Sequence, residues 1–76
     1  MILKQSTIAL IGSGAMGEAI VKVLLDKALI EPQQLVATDA LPDRCADIAT
    51  RYGIQTMGDN AAAISGADIV ILAVKP

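Results

Sequence analysis

Residues 12 to 17 read Gly12-Ser-Gly-Ala-Met-Gly17, and what lies on either side of these three glycines restricts the fold sharply. Before them runs Ser6-Thr-Ile-Ala-Leu-Ile11, a short apolar, β-branched segment that stops at Gly12. Lacking a polar face, such a run suits a strand covered on both sides in a parallel sheet. After them, from Ala15 to about Ala28, apolar residues fall at Met16, Ile20, Val23, Leu24 and Ala28, while Glu18, Lys22 and Asp26 lie elsewhere. A spacing of three and four predicts a helix with one buried stripe.

The same alternation continues. Leu29 to Gln34, with Pro32, reads as a turn, and Leu35 to Thr38 as a second strand ending at Asp39. Pro42 stands where a first-turn proline belongs, ahead of Cys45, Ile48, Ala49 and Tyr52 at helical spacing, and Gly53 is placed to close that helix in the left-handed conformation. Ile54 to Met57 forms a weaker third strand. Asp59 or Asn60 can cap a brief helix through Ser65 that Gly66 ends, and Asp68 to Val74 is expected to be a central strand. The order βαβαβαβ predicts an α/β fold, a Rossmann-type doubly wound parallel sheet with strand order 3-2-1-4. The outer strands of such a sheet have no counterpart here, so residues 1–76 are expected to be the N-terminal part of a larger domain.

Between a strand and a helix, each glycine of a G-x-G-x-x-G loop has its own task. Gly12 makes the tight turn, Gly14 lets a pyrophosphate approach the backbone, and Gly17 lets helix and sheet pack closely. The helix N-terminus offers free N–H groups and a positive dipole end, so a diphosphate is held without a basic side chain. That suits a loop with no charge before Glu18. The bland alternative is a glycine-rich connecting turn. Asp39 lies 22 residues after Gly17, close to the interval of about 20 expected for a carboxylate that binds the adenosine ribose. It favours NAD, because a 2′-phosphate would meet it with repulsion. Arg44 is open to two readings: folded back over its first turn it would pair with that phosphate, and otherwise it is a solvated helix residue.

Other function classes are weakly supplied. The chain has 76 residues, a formal charge of −2 and one aromatic residue, Tyr52, which speaks against phosphate-backbone binding and base stacking, so no nucleic acid partner is expected. With one cysteine and no histidine, no intrachain disulfide, metal site or His-based catalytic pair is expected, and no catalytic residue is assigned. The longest apolar stretch, Ile69 to Val74, is far shorter than the roughly 18 residues a bilayer span requires, and residues 1–6 do not resemble a signal peptide. No membrane partner is expected, and a cytoplasmic location is. Cys45 is expected to be a buried packing residue, Asp43, Asp47 and Arg51 solvated surface, and Asp68 a turn residue.

Three segments resemble the pyrroline-5-carboxylate reductases: Ile11-Gly-Ser-Gly-Ala-Met-Gly-Glu-Ala-Ile20, Tyr52-Gly-Ile54 and Ala67-Asp-Ile-Val-Ile-Leu-Ala-Val-Lys-Pro76. The resemblance covers essentially the whole chain and is most specific at the Ala73-Val-Lys-Pro76 ending. It implies hydride transfer from NAD(P)H to 1-pyrroline-5-carboxylate, giving L-proline. It also implies cofactor contacts at Ile11, Gly12, Ser13, Gly14, Ala15 and Met16, at Thr38 and Asp39, at Asn60, and at Ala73, Val74, Lys75 and Pro76, where the backbone of Lys75 rather than its amine is favoured. Gly17 and Arg44 join this set from the residue reading above. The family often carries a small hydroxyl residue where Asp39 stands, so NADP or NAD stays undecided. The family's helical domain, which forms the homo-oligomer and completes the imino-acid site, has no counterpart in these residues. Two other readings remain: a dinucleotide-binding regulatory or sensor module, and a dehydrogenase of the hydroxyisobutyrate or 6-phosphogluconate type.

Overall fold

The computed structural model describes residues 6–12 and 14–73. Strand β1 (Ile8–Ile11) leads into helix α1 (Ala15–Asp26), and a 3-10 turn over Pro32–Gln34 leads into β2 (Leu35–Thr38). Then follow α2 (Pro42–Tyr52), β3 (Gln55–Met57), α3 (Asn60–Ser65) and β4 (Ile69–Leu72). The strands form one parallel sheet in the order β3-β2-β1-β4, as the alternating pattern predicts.

The local signals act as their chemistry requires. Pro42 starts α2, where its missing N–H costs nothing, and Gly53 closes it at φ 69° with its N–H donating to the Ala49 carbonyl at 2.9 Å. The Asp59 carboxylate accepts from the N–H groups of Ala61 and Ala62, at 2.9 and 3.2 Å, and so caps α3. Asp68 does more than turn the chain. Its carboxylate accepts from the Thr7 N–H and its own N–H donates to the Thr7 carbonyl, both at 2.8 Å, which ties the start of β4 to the start of β1.

Strand residues alternate between two apolar layers. Ile8, Leu10, Leu35 and Ala37 pack with Val21 and Ile48 beneath α1 and α2, while Ala9 and Val36 pack with Ala63 beneath α3. All residues of β1 and β2 are buried, as expected of strands covered on both faces.

Two expectations are corrected. The buried stripe of α1 centres on Gly17 and Val21, with Ile20, Leu24 and Leu25 half-buried beside them; Met16 is 65% exposed and Val23 50%. The helix meets the sheet where it lacks a side chain, and this turns the larger apolar residues onto its flank. The helix also stops at Asp26, and Ala28 lies beyond it at φ 53°. Second, Cys45 is half-buried, its thiol directed at the carbonyls of Asp39 (3.4 Å) and Met57 (3.8 Å). Among the described residues β4 pairs with β1, with Val70 and Leu72 exposed. No helix among the described residues is long and apolar enough to cross a membrane.

Candidate functional site

Parallel pairing brings the carboxyl ends of the strands to one edge of the sheet. Ile11 stands beside Thr38 on one side and Leu72 on the other, and Thr38 beside Met57. Strand order reverses between β1 and its two neighbours, which is where open α/β sheets bind ligands. The glycine loop leaves the sheet at this point.

Each described glycine of the loop has a distinct environment. Gly12 adopts φ 93°, a left-handed conformation that side chains disfavour, and its N–H donates to the Thr38 hydroxyl at 3.2 Å. Thr38 is 1% exposed, so this bond fixes the start of the loop to the end of β2. Gly17 is buried in α1, and a Cβ there would run into the Gly12 carbonyl oxygen. The close approach of helix to strand thus requires glycine. Gly14 differs from both. It caps α1 with φ −69°, it is exposed, and a Cβ on it would meet nothing within 4 Å among the described residues. Neither its conformation nor its packing calls for glycine, so the space in front of it is what the missing side chain preserves. Ala15 and Met16 follow in the exposed first turn of the helix.

At the end of β2, Asp39 is half-buried, and one carboxylate oxygen accepts from the Leu41 N–H at 2.9 Å, shaping the turn into α2. Asn60 opens α3 on the solvent side, and Ala73 is buried with its N–H donating to the Ile11 carbonyl at 2.9 Å. Ser13, Val74, Lys75 and Pro76 lie outside the described residues. Residues 11, 12, 14–17, 38, 39 and 73 therefore collect around the carboxyl end of β1.

A family described as NADP oxidoreductase, coenzyme F420-dependent, matches residues 7–76. The chain belongs to this family. It is 44% identical over 72 residues to a pyrroline-5-carboxylate reductase of Corynebacterium melassecola, matching 95% of this chain and 26% of that protein. It is 32% identical over 74 residues to a pyrroline-5-carboxylate reductase of Methanosarcina acetivorans, with 97% of this chain and 27% of that protein matched. The solved structure of a pyrroline-5-carboxylate reductase from Coxiella burnetii superposes with a TM-score of 0.86 at 34% identity, covering 93% of this chain and 26% of that one. The resemblance seen in the glycine loop and in the Ala73–Pro76 ending is thereby borne out. The chain spans about a quarter of the length of these relatives.

Arg44 lies in the first turn of α2, and its Nη2 meets Glu18 Oε1 on α1 at 2.8 Å. The other oxygen of Glu18 accepts from the Tyr52 hydroxyl and meets Arg51 Nη2, each at 2.7 Å. Asp47 stands beside both arginines, 3.8 Å from Arg44 and 3.2 Å from Arg51. The Tyr52 hydroxyl bond, then that from Arg44, with the charges of the two arginines adding to them, hold the Glu18 carboxyl below its usual value. The same carboxylate raises the Tyr52 phenol. Pattern reading treats Glu18 and Arg51 as surface and Tyr52 as part of the α2 stripe. Their contact spans 34 positions for the tyrosine, beyond the reach of any local spacing rule.

Proposed function

We propose that the chain is the dinucleotide-binding part of a reductase that moves hydride from NAD(P)H to the carbon–nitrogen double bond of 1-pyrroline-5-carboxylate, giving L-proline. Gly14 is the observation that carries this reading: the chain itself has no use for a glycine there, whereas a pyrophosphate passing over the loop does. The relatives named for that reaction support it.

In this reading the N–H groups opening α1 receive the pyrophosphate, with the helix dipole favouring its charge. Gly12, fixed by Thr38, holds the loop in the required shape. Asp39 takes the ribose hydroxyls, and Ile11, Ser13, Ala15, Met16, Asn60 and Ala73 to Pro76 line the path. Bound NAD(P)H would supply the hydride; the chain's share is to hold it in one orientation. The imino acid and the contact between subunits belong to a helical domain beyond these 76 residues, and the protein works in the cytoplasm. Replacing Gly14 with Val puts a side chain in the pyrophosphate path and should weaken NAD(P)H binding at least about tenfold, roughly 1.4 kcal/mol. Unchanged affinity in a fluorescence titration would overturn the assignment.

A further inference from the structure

We infer that Glu18 is a specificity-determining residue, which biases the site against a 2′-phosphate by holding the Arg44 guanidinium on α1. The inference rests on the proposed binding of a dinucleotide at the Gly12–Gly17 loop, and it concerns the adenosine end of that same site.

Arg44 is well placed by its backbone to serve such a phosphate. Its N–H donates to the Leu41 carbonyl at 3.1 Å in the first turn of α2, so it starts from the turn shaped by Asp39, where a ribose is read in this fold. Its Nη2 meets a carboxylate on α1. The 2.8 Å contact with Glu18 joins it to a carboxylate whose second oxygen is fixed from the far end of α2 by Arg51 and Tyr52. Glu18 therefore cannot follow Arg44 toward the ribose without giving up two further partners. The side chains of Glu18 and Arg44 are 20% and 26% exposed, so water screens the pair only in part. Two carboxylates, Glu18 and Asp47, already balance the two guanidiniums of Arg44 and Arg51. A 2′-phosphate would have to draw Arg44 out of a neutral group while also facing Asp39. A ribose hydroxyl needs neither adjustment, and it gains an acceptor in Asp39. Glu18 touches no nucleotide in this account; it acts through Arg44 and is a positioning residue.

Binding of NADH and NADPH to the full chain, measured by fluorescence titration, tests this. Glu18→Gln should leave NADH affinity nearly unchanged and tighten NADPH about tenfold, the order expected of one freed charge contact to a phosphate. In the Arg44→Ala background Glu18→Gln should have no such effect, because the gain is delivered by the arginine. Arg44→Ala alone should cost less than about twofold in NADPH affinity, since the guanidinium is already engaged. That single variant keeps the test decisive even if Glu18→Gln fails to fold. An equal shift for both nucleotides, an unchanged ratio, a gain that persists without Arg44, or a large NADPH-specific loss in Arg44→Ala each overturns the inference. If the unaltered chain binds neither nucleotide, the proposed function falls, and this inference with it.

Discussion

On one side of β1 the sheet continues into β2 and β3 beneath α2, and every residue of β2 is buried; on the other side lies β4, paired along the same four residues of β1, yet with Val70 41% and Leu72 69% exposed. The covered side is also cross-braced by polar groups. Glu18 links α1 to both ends of α2, the Cys45 thiol reaches the carbonyls of Asp39 and Met57, and the Thr56 hydroxyl donates to the Cys45 carbonyl at 3.1 Å. Met16, Ala19, Ile20, Val23 and Leu24 form an open apolar groove along the flank of α1. Hydrophobic sequence is equally dense on both sides. What differs among the described residues is coverage: Ile69 and Ile71 pack on the same core as Ile20 and Leu24 of α1, whereas Val70 and Leu72 stay exposed, so hydrophobicity reports what a strand can bury and not what is packed against it.

The contrast breaks most visibly at the covered side. Ile48, 0% exposed beneath the sheet, should cost about 2–5 kcal/mol when cut to Ala, the sum of lost transfer energy and a residual cavity. That is a large share of the stability of a 76-residue chain, and denaturant unfolding should show it as a fall in midpoint or as a chain already unfolded in buffer. A loss below about 1 kcal/mol would mean that α2 is not a fixed lid on this face.

Gly17→Ala comes next, at about 1–3 kcal/mol, because the new methyl must push α1 away from the Gly12 carbonyl. Both sides hang on this contact, so urea melts of Gly17→Ala should show the whole sheet losing stability together. Gly14→Ala meets nothing comparable among the described residues and should stay within about 0.5 kcal/mol. Equal effects at the two glycines would remove the argument that they serve different purposes.

These two glycines also show what the sequence made legible. Their spacing, together with the β-branched run before them, suffices for the loop's place at a strand end, and the alternation of apolar runs and helical spacings along the whole chain suffices for the strand order, because turn chemistry and apolar runs act over a few residues. Pro42 and Gly53 marked α2 to the residue for the same reason. The buried face of α1 was misjudged, since large apolar residues dominate a periodicity count while the closest contact is made by Gly17, which adds nothing to it. The fate of Arg44 was open for a different reason. Its partner Glu18 lies 26 positions away, and the choice between phosphate and carboxylate depends on how α1 and α2 sit against each other.

The charged brace between α1 and α2 gives a smaller, pH-dependent effect. Folding lowers the Glu18 carboxyl below its usual value near 4.5, chiefly through the Tyr52 hydroxyl and then Arg44. The folded chain therefore binds that proton less tightly than the unfolded chain, so the brace's contribution is complete above pH 4.5 and is lost as pH falls through the lowered value. Thermal melts of the unaltered chain and Glu18→Gln should differ most between about pH 6 and 8, and the difference should narrow as pH falls below 4.5. Tyr52 behaves in the opposite sense: its phenol is raised above 10.0 by Glu18, so its share persists below that value and is lost as pH rises through the raised one. Tyr52→Phe should accordingly narrow the stability gap only in strong alkali. A gap between the unaltered chain and Glu18→Gln that stays constant down to pH 3 would show that the carboxylate's charge does not brace the helices.

The smallest effect belongs to the open side. Leu72 contributes little buried surface at 69% exposure, and its backbone pairing with Ile11 does not depend on its side chain. Leu72→Thr introduces a β-branched residue suited to a strand and should shift the unfolding free energy by no more than about 0.5 kcal/mol in either direction. The same substitution at a covered position of β1 or β2 would leave a polar group without a partner and cost several times more. The measurement is sharpest when repeated over a hundredfold range of protein concentration. A constant, small difference means that this face stays open to water. A loss of about 2 kcal/mol that grows with concentration means that a second copy lies over Val70 and Leu72, because a contact between molecules is stabilised by mass action whereas a contact within one is not.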